Sequence, residues 1–203
     1  MFIPAQNAPA GCARQRCQAR PWVRWLARVL CGWCLLASLA AGLAQDSVSK
    51  EYQIKAAYLY NFAKFVEWPA ESFTNSQSPL VIGVFGQNPF GDEFQMIAKD
   101  HKINGRDIVF KPVSTAAEAQ GVHLIFFGAT EDDHVAETLA ALKNAHVLAV
   151  GESDKFIAAG GDINFVREAD KVRFEINAAA AGRHGLKISA QLLKLAKFVR
   201  KQP

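Results

Sequence analysis

The sequence predicts an α/β fold: a mostly parallel central sheet with helices on both faces, an N-terminal helix, and an antiparallel edge hairpin near the C-terminus. Three observations predict it. Short apolar runs such as VHLIFFG (122–128) and HVLAVGE (146–152) show no polar alternation, the pattern of strands buried on both faces. Between them lie stretches of helical period such as TEDDHVAETLAALKNA, so strand and helix take turns along the chain. The segment DINFVREADKVRFEIN breaks that rhythm, because INFV and VRFEI alternate and READ between them suits a hairpin at one edge.

Taken in order, Val48 to Trp68 reads as a helix, with Ser49 as its cap and Pro69 as its stop. Ile54, Tyr58, Phe62 and Phe65 form its expected core stripe. After a polar loop over 70–79, PLVIGVFG is a strand, and NPFGDEFQMIAKD opens a helix with Asn88 as cap and Pro89 at its first position. INGRDIVFKPV supplies a turn at Asn104-Gly105 and a strand over 107–111, and STAAEAQ a short helix. Strands follow at 122–128 and 146–152, separated by a helix with acids in its first turn, and SDKFIAAG is a helical turn ending at Gly160. The chain closes with a short helix, a break at Gly185 and a last helix over 189–200, its core stripe at Leu192, Leu195, Ala196 and Val199.

The first 44 residues read as an export leader. Five arginines with no acidic residue precede the apolar run VLCGWCLLASLAAGL, and Gly42-Leu43-Ala44 offers small residues where a signal peptidase reads. The run is short of the roughly 20 residues a spanning helix needs. Cleavage after Ala44 leaves 159 residues, a single domain over 45–203. Removing the leader also changes the electrostatics, since 18 basic residues then face 19 acidic ones. The basic balance of the whole chain therefore gives no reason to expect nucleic acid or anionic lipid. All four cysteines lie in the leader, which excludes thiol catalysis, cysteine metal sites and disulfides from the domain.

Motifs for chemistry are weak. GVFGQNPFG (83–91) fits neither a dinucleotide fingerprint nor a phosphate loop, and no cofactor is expected. His134 and Glu137 lie one turn apart, near His123 and His146 in sequence order, without the spacing of a zinc site, so no metal is expected either. Ser153 in GESDK has no nucleophile-elbow glycines and reads as the cap of a turn. Glu131-Asp132-Asp133 serves a helix dipole. The reading is a binding protein, not an enzyme.

Two groups of residues are candidates for binding. Arg173, Glu175 and Asn177 alternate with Val172, Phe174 and Ile176 and share one strand face, so with Asn61 and Lys64 of the first helix they could line a small ligand recess. KAAYLYNFAKFVEWP (55–69) lies in a span that gathers six aromatics over 52–68. Its lysines and Glu67 argue against membrane insertion, and Tyr60, Asn61, Lys64 and Trp68 flank the stripe as candidates for partner or dimer contact.

KAAYLYNFAKFVEWP, VIGVFGQNPFGDEF, VGESDKFIAAGGDINF and VRFEIN followed by GLKISAQLLKLAKFV resemble, in order, the YfiR family of exported bacterial proteins. The resemblance implies a periplasmic α/β protein without catalysis. It implies repression of a membrane-anchored diguanylate cyclase through the cyclase's periplasmic part, and hence control of cyclic-di-GMP and biofilm formation. An OmpA-like outer-membrane lipoprotein as a sequestering partner, and a homodimer, are implied in the same way. The disulfide-based redox response of the characterised repressor is not carried over, because the domain here has no cysteine. The alternative is a periplasmic small-molecule binding protein feeding another membrane sensor, such as a histidine kinase.

Overall fold

The computed structural model describes residues 50–169 and 171–201, all within the compact unit Ser47–Pro203. The leader, its cleavage point and Ser49 lie outside the described residues. Helix α1 covers residues 50–65 and is followed by β1 (Val66–Glu67). Then come β2 (Leu80–Phe85), α2 (Glu93–Asp100), β3 (Ile108–Val113) and β4 (Leu124–Phe127). Helix α3 (Asp132–Ala141), β5 (Leu148–Gly151), and the hairpin of β6 (Ile163–Glu168) and β7 (Lys171–Asn177) follow. The chain ends with α4 (Ala178–Arg183), β8 (Lys187–Ile188), α5 (Ala190–Leu195) and β9 (Phe198–Arg200).

Among the described residues the main sheet has seven strands in the order β3-β2-β4-β5-β6-β7-β9. Its pairs run parallel from β3 to β6, antiparallel between β6 and β7, and parallel again between β7 and β9. One apolar layer joins α1, α2 and the strands through Leu59, Phe62, Phe94, Phe126 and Phe174. The other joins α3 and the opposite face through Val135, Leu139, Phe127 and Phe156. The predicted fold class is thus the observed one, helices on both faces included.

Several elements differ in detail, each for a physical reason. The buried face of α1 carries Lys55, Ala56, Leu59, Phe62 and Ala63, while Ile54 is 49% exposed and Tyr58 and Phe65 are half-buried. At about 100° per residue Ile54 stands well round the helix from Leu59, and the small alanines let α1 approach the sheet. Helix α1 stops at residue 65, because Val66 and Glu67 pair with Ile188 and Lys187 in a separate two-stranded ribbon. Asn88 does not cap α2: its side-chain oxygen accepts from the Phe90 N–H at 2.9 Å, a local turn that delays the helix to Glu93. STAAEAQ is a turn, with Thr115 Oγ1 accepting from the Glu118 N–H.

The largest difference lies at the C-terminus, where the helix expected over 189–200 is only Ala190–Leu195. Ser189 caps it, accepting from the Leu192 N–H at 3.2 Å, and the chain turns extended at Ala196. Phe198–Arg200 then pairs with β7, so the β6–β7 hairpin lies one strand in from the edge. The unpaired side of β7 offers backbone partners, and the β-branched and aromatic residues of KFVR accept them. Of the expected stripe only Leu192 is fully buried, while Leu195 is 59% exposed.

Candidate functional site

Beyond the carboxyl ends of β4 and β5, where parallel sheets hold their ligands, α1 crosses the sheet and leaves a recess of about 410 Å³. Its floor is an ion pair. Lys55, one turn into α1, points inward from the buried helix face, and Glu152 is the first residue after β5. Both side chains are 6% exposed. Lys55 Nζ donates to Glu152 Oε2 and lies 2.6 Å from Glu51 Oε1. Glu152 Oε1 accepts from the Tyr52 hydroxyl at 2.9 Å and from the Ala129 N–H at 3.0 Å. Burial and the Glu152 carboxylate push the Tyr52 phenol above its usual range, so it stays protonated and serves as a donor.

The floor is therefore polar and fully partnered, which is what a buried charge requires. Above it, Phe165 and Val172 form an apolar wall, while Asp154 and Arg167 reach the rim. The Arg167 side chain is 70% exposed and meets Glu51 at only 3.5 Å, so most of its donors face outward. The recess has the elements of a small-molecule site: a rigid charged base, an apolar side and charged groups at the mouth. Among the described residues no group of three or more His, Cys, Asp or Glu side chains is placed to hold a metal ion.

The residues singled out from the sequence are distributed differently. Phe174 faces α1, its ring 5.5 Å from Tyr58 and 4.9 Å from Phe62. Arg173 and Glu175 therefore project from the opposite face, and they do not converge with Asn61 and Lys64. Asn177 is buried and caps α4, its Oδ1 accepting from the Ala180 N–H at 3.1 Å. Asn61 donates back to Ala57 O of its own helix. Tyr60 packs edge-on to His101, and Lys64 is exposed beside the Phe65 ring. Trp68 is half-buried and donates from Nε1 to His123 O at 3.1 Å.

Trp68 also borders a second recess of about 260 Å³ at the other end of the strands, with Phe73 and Arg106. The Phe73 ring lies between the Arg106 guanidinium at 3.7 Å and the His123 ring at 4.5 Å. His123 is buried and neutral: Nδ1 accepts from the Val81 N–H at 3.0 Å, leaving Nε2 to donate to Ser72 O at 3.1 Å. Burial lowers its pKa foremost, the Ser72 carbonyl opposes that shift, and Arg106 adds to it.

A depressed histidine pKa means that the unfolded chain takes up the proton first. Its contribution to stability is complete above the unfolded value near 6.5 and is lost as pH falls through that value toward the folded one. Buried Asp162, which accepts from the Ala149 N–H and touches His184, has a raised pKa and contributes with the opposite sign. Comparing wild type with His123→Gln, which keeps an acceptor and a donor, isolates the histidine. Thermal unfolding between about pH 7.5 and about pH 5 should fall more steeply for wild type than for the variant. Parallel slopes would remove this role.

The structure defines a mostly parallel α/β domain with a charged recess beyond the carboxyl ends of β4 and β5. Residues 52–197 match the YfiR/HmsC-like family model, and the chain belongs to that family. No curated protein matches it. Among solved structures, a conserved domain protein from Vibrio cholerae shares 15% identity at TM-score 0.43, covering 59% of this chain and 54% of that one. The ABC domain in complex with L-Trp from Streptococcus pneumonia shares 16% identity at TM-score 0.44, covering 59% and 55%. The chain thus spans about half of each, and neither likeness carries an argument about function.

Lys55 and Glu152 were not singled out by sequence reading. A signal was present for Glu152, a carboxylate directly after a wholly apolar strand, whereas the inward position of Lys55 follows only from how α1 packs.

Proposed function

We propose that this protein is an exported regulator which represses a membrane-anchored diguanylate cyclase by binding the cyclase's periplasmic part. Membership of the YfiR/HmsC-like family over residues 52–197 carries the reading. Among the described residues no helix is long and apolar enough to cross a membrane, so this domain would meet the cyclase from the aqueous side. Repression of this kind works by holding the partner in one of its two states, and it requires a difference in affinity between them. Cleavage after Ala44 would release a single domain to the periplasm. Tyr60, Asn61, Lys64 and Trp68 are the proposed contacts with the partner or within a homodimer. An OmpA-like outer-membrane lipoprotein would compete for the same protein and relieve repression.

Deleting the gene should raise cellular cyclic-di-GMP and biofilm formation. Wild type supplied in trans should reverse both, and Tyr60→Ala should do so less well. Unchanged cyclic-di-GMP in the deletion strain would dismiss the cyclase as partner.

The recess over Lys55 and Glu152 supports a second reading, a periplasmic small-molecule binding protein that informs another sensor such as a histidine kinase. The two readings are compatible, since a ligand seated there would rest on both α1 and the strand ends and could alter the face that α1 presents.

A further inference from the structure

The near-neutrality of the chain after the leader conceals a division of charge. From Gln45 to Asp162 there are nine basic and 16 acidic residues, a net charge of −7. From Ile163 onward there are nine basic and three acidic, a net charge of +6. Because β6, β7 and β9 follow one another at one end of the sheet, the topology converts this sequence asymmetry into a spatial one.

The basic end is also open. Lys171, Arg173 and Glu175 lie on the face of β7 turned away from α1, and Phe198 stands beside Glu175 in register with it. Phe198 is 57% exposed, and Arg200, two residues on, shares its face and is exposed as well. Exposed Lys194, Leu195 and Lys201 flank this strand, so KLAKFVRK presents two large apolar side chains among four cations. Glu168 partly offsets Lys197 at 3.0 Å and Arg173 at 3.9 Å, while no ion pair within 4.0 Å is found for Lys171, Lys194, Arg200 or Lys201 among the described residues.

We propose that this β7–β9 face is a membrane-docking surface that seats the protein on anionic phospholipid headgroups. Charge complementarity selects the occupant. Lysine and arginine near an anionic bilayer each add attraction within a Debye length, and an exposed phenylalanine and leucine can enter the headgroup boundary. The acidic remainder of the domain is repelled by the same surface, which orients the basic face toward it. A second copy of the chain fits less well, since two such faces would bring like charges together. Addition of a partner strand at β9 is opposed by the same residues, because lysines on a short edge strand discourage pairing. The proposal is independent of which membrane protein is regulated, so it stands or falls apart from the cyclic-di-GMP experiment.

The test is co-sedimentation of the protein, in its cell-processed form, with vesicles of phosphatidylcholine alone or mixed with phosphatidylglycerol. Binding is expected only to the mixed vesicles and should weaken as salt is raised. Lys171→Ala with Arg200→Ala should reduce it about thirtyfold, and Phe198→Ser several-fold, with thermal stability unchanged. The variants share the wild-type N-terminus, so the difference reads this face alone. Absence of binding to the anionic vesicles at low salt would overturn the proposal, as would variants that bind like wild type. A wild-type dimer that ignores vesicles and is dissociated by Phe198→Ser would assign the face to a second copy instead.

Discussion

Lys55→Ala should destabilise the domain by about 3–5 kcal/mol, because it leaves the Glu152 carboxylate buried without its cation. For a domain of this size that corresponds to a fall in Tm on the order of 10 °C. The cost arises from the orphaned charge rather than from the lost attraction, and a second substitution separates the two. In Lys55→Met with Glu152→Gln, the glutamine oxygen still accepts from the Tyr52 hydroxyl and the Ala129 N–H, the buried carboxylate is gone, and the partly exposed Glu51 keeps Arg167 at 3.5 Å. The double variant should recover most of the stability. Urea unfolding of wild type, Lys55→Met, Glu152→Gln and the double variant gives the coupling energy directly. If the double variant is as unstable as Lys55→Ala, the pair is not the source of the effect.

A comparable loss is expected at Gly161. The Phe156 ring lies between two glycine backbones: a Cβ at Gly151 would come within 2.3 Å of the ring, and one at Gly161 within 2.1 Å. Neither glycine has a left-handed backbone, so space alone excludes a side chain there. Gly161→Ala must displace a ring that is 1% exposed, at a cost of roughly 3 kcal/mol, the upper end for overpacking. Since the turn carrying Phe156 begins just after Glu152, a displaced ring would also disturb the recess. In a Phe156→Ala background, itself costing about 3–5 kcal/mol, the added alanine should cost far less. Additive losses would show that the ring is not what excludes the methyl group.

How far the sequence is legible depends on the range of the interaction. The apolar runs of β2, β4 and β5 announce themselves because strands buried on both faces need no alternation. The β6–β7 hairpin is equally plain from its alternation. The inward face of α1 is harder, because Ile54 and Phe65 are as apolar as Leu59 and only packing shows that alanines line the close approach. At the C-terminus KLAKFVRK has a helical pattern of its own, and the unpaired side of β7 draws its last residues into the sheet.

The site follows the same division. Lys55 and Glu152 are 97 residues apart, and no local pattern states that a helix will carry one across the strand that ends at the other. Arg173 and Glu175 share a face as their alternation requires, whereas the capping of α4 by Asn177 depends on where the next helix begins.

By itself the sequence determined the succession β2, α2, β3, β4, α3, β5, the absence of cysteine after Cys34 and the family resemblance, all of which reside in composition and short-range spacing. Only the tertiary structure decided which face of α1 is buried, that Lys55 meets Glu152, and that the basic C-terminal segment forms one open face at the end of the sheet. Periodicity is set by neighbours a few residues apart, whereas a buried charge or a sheet edge is defined by whatever distant segment comes to lie against it.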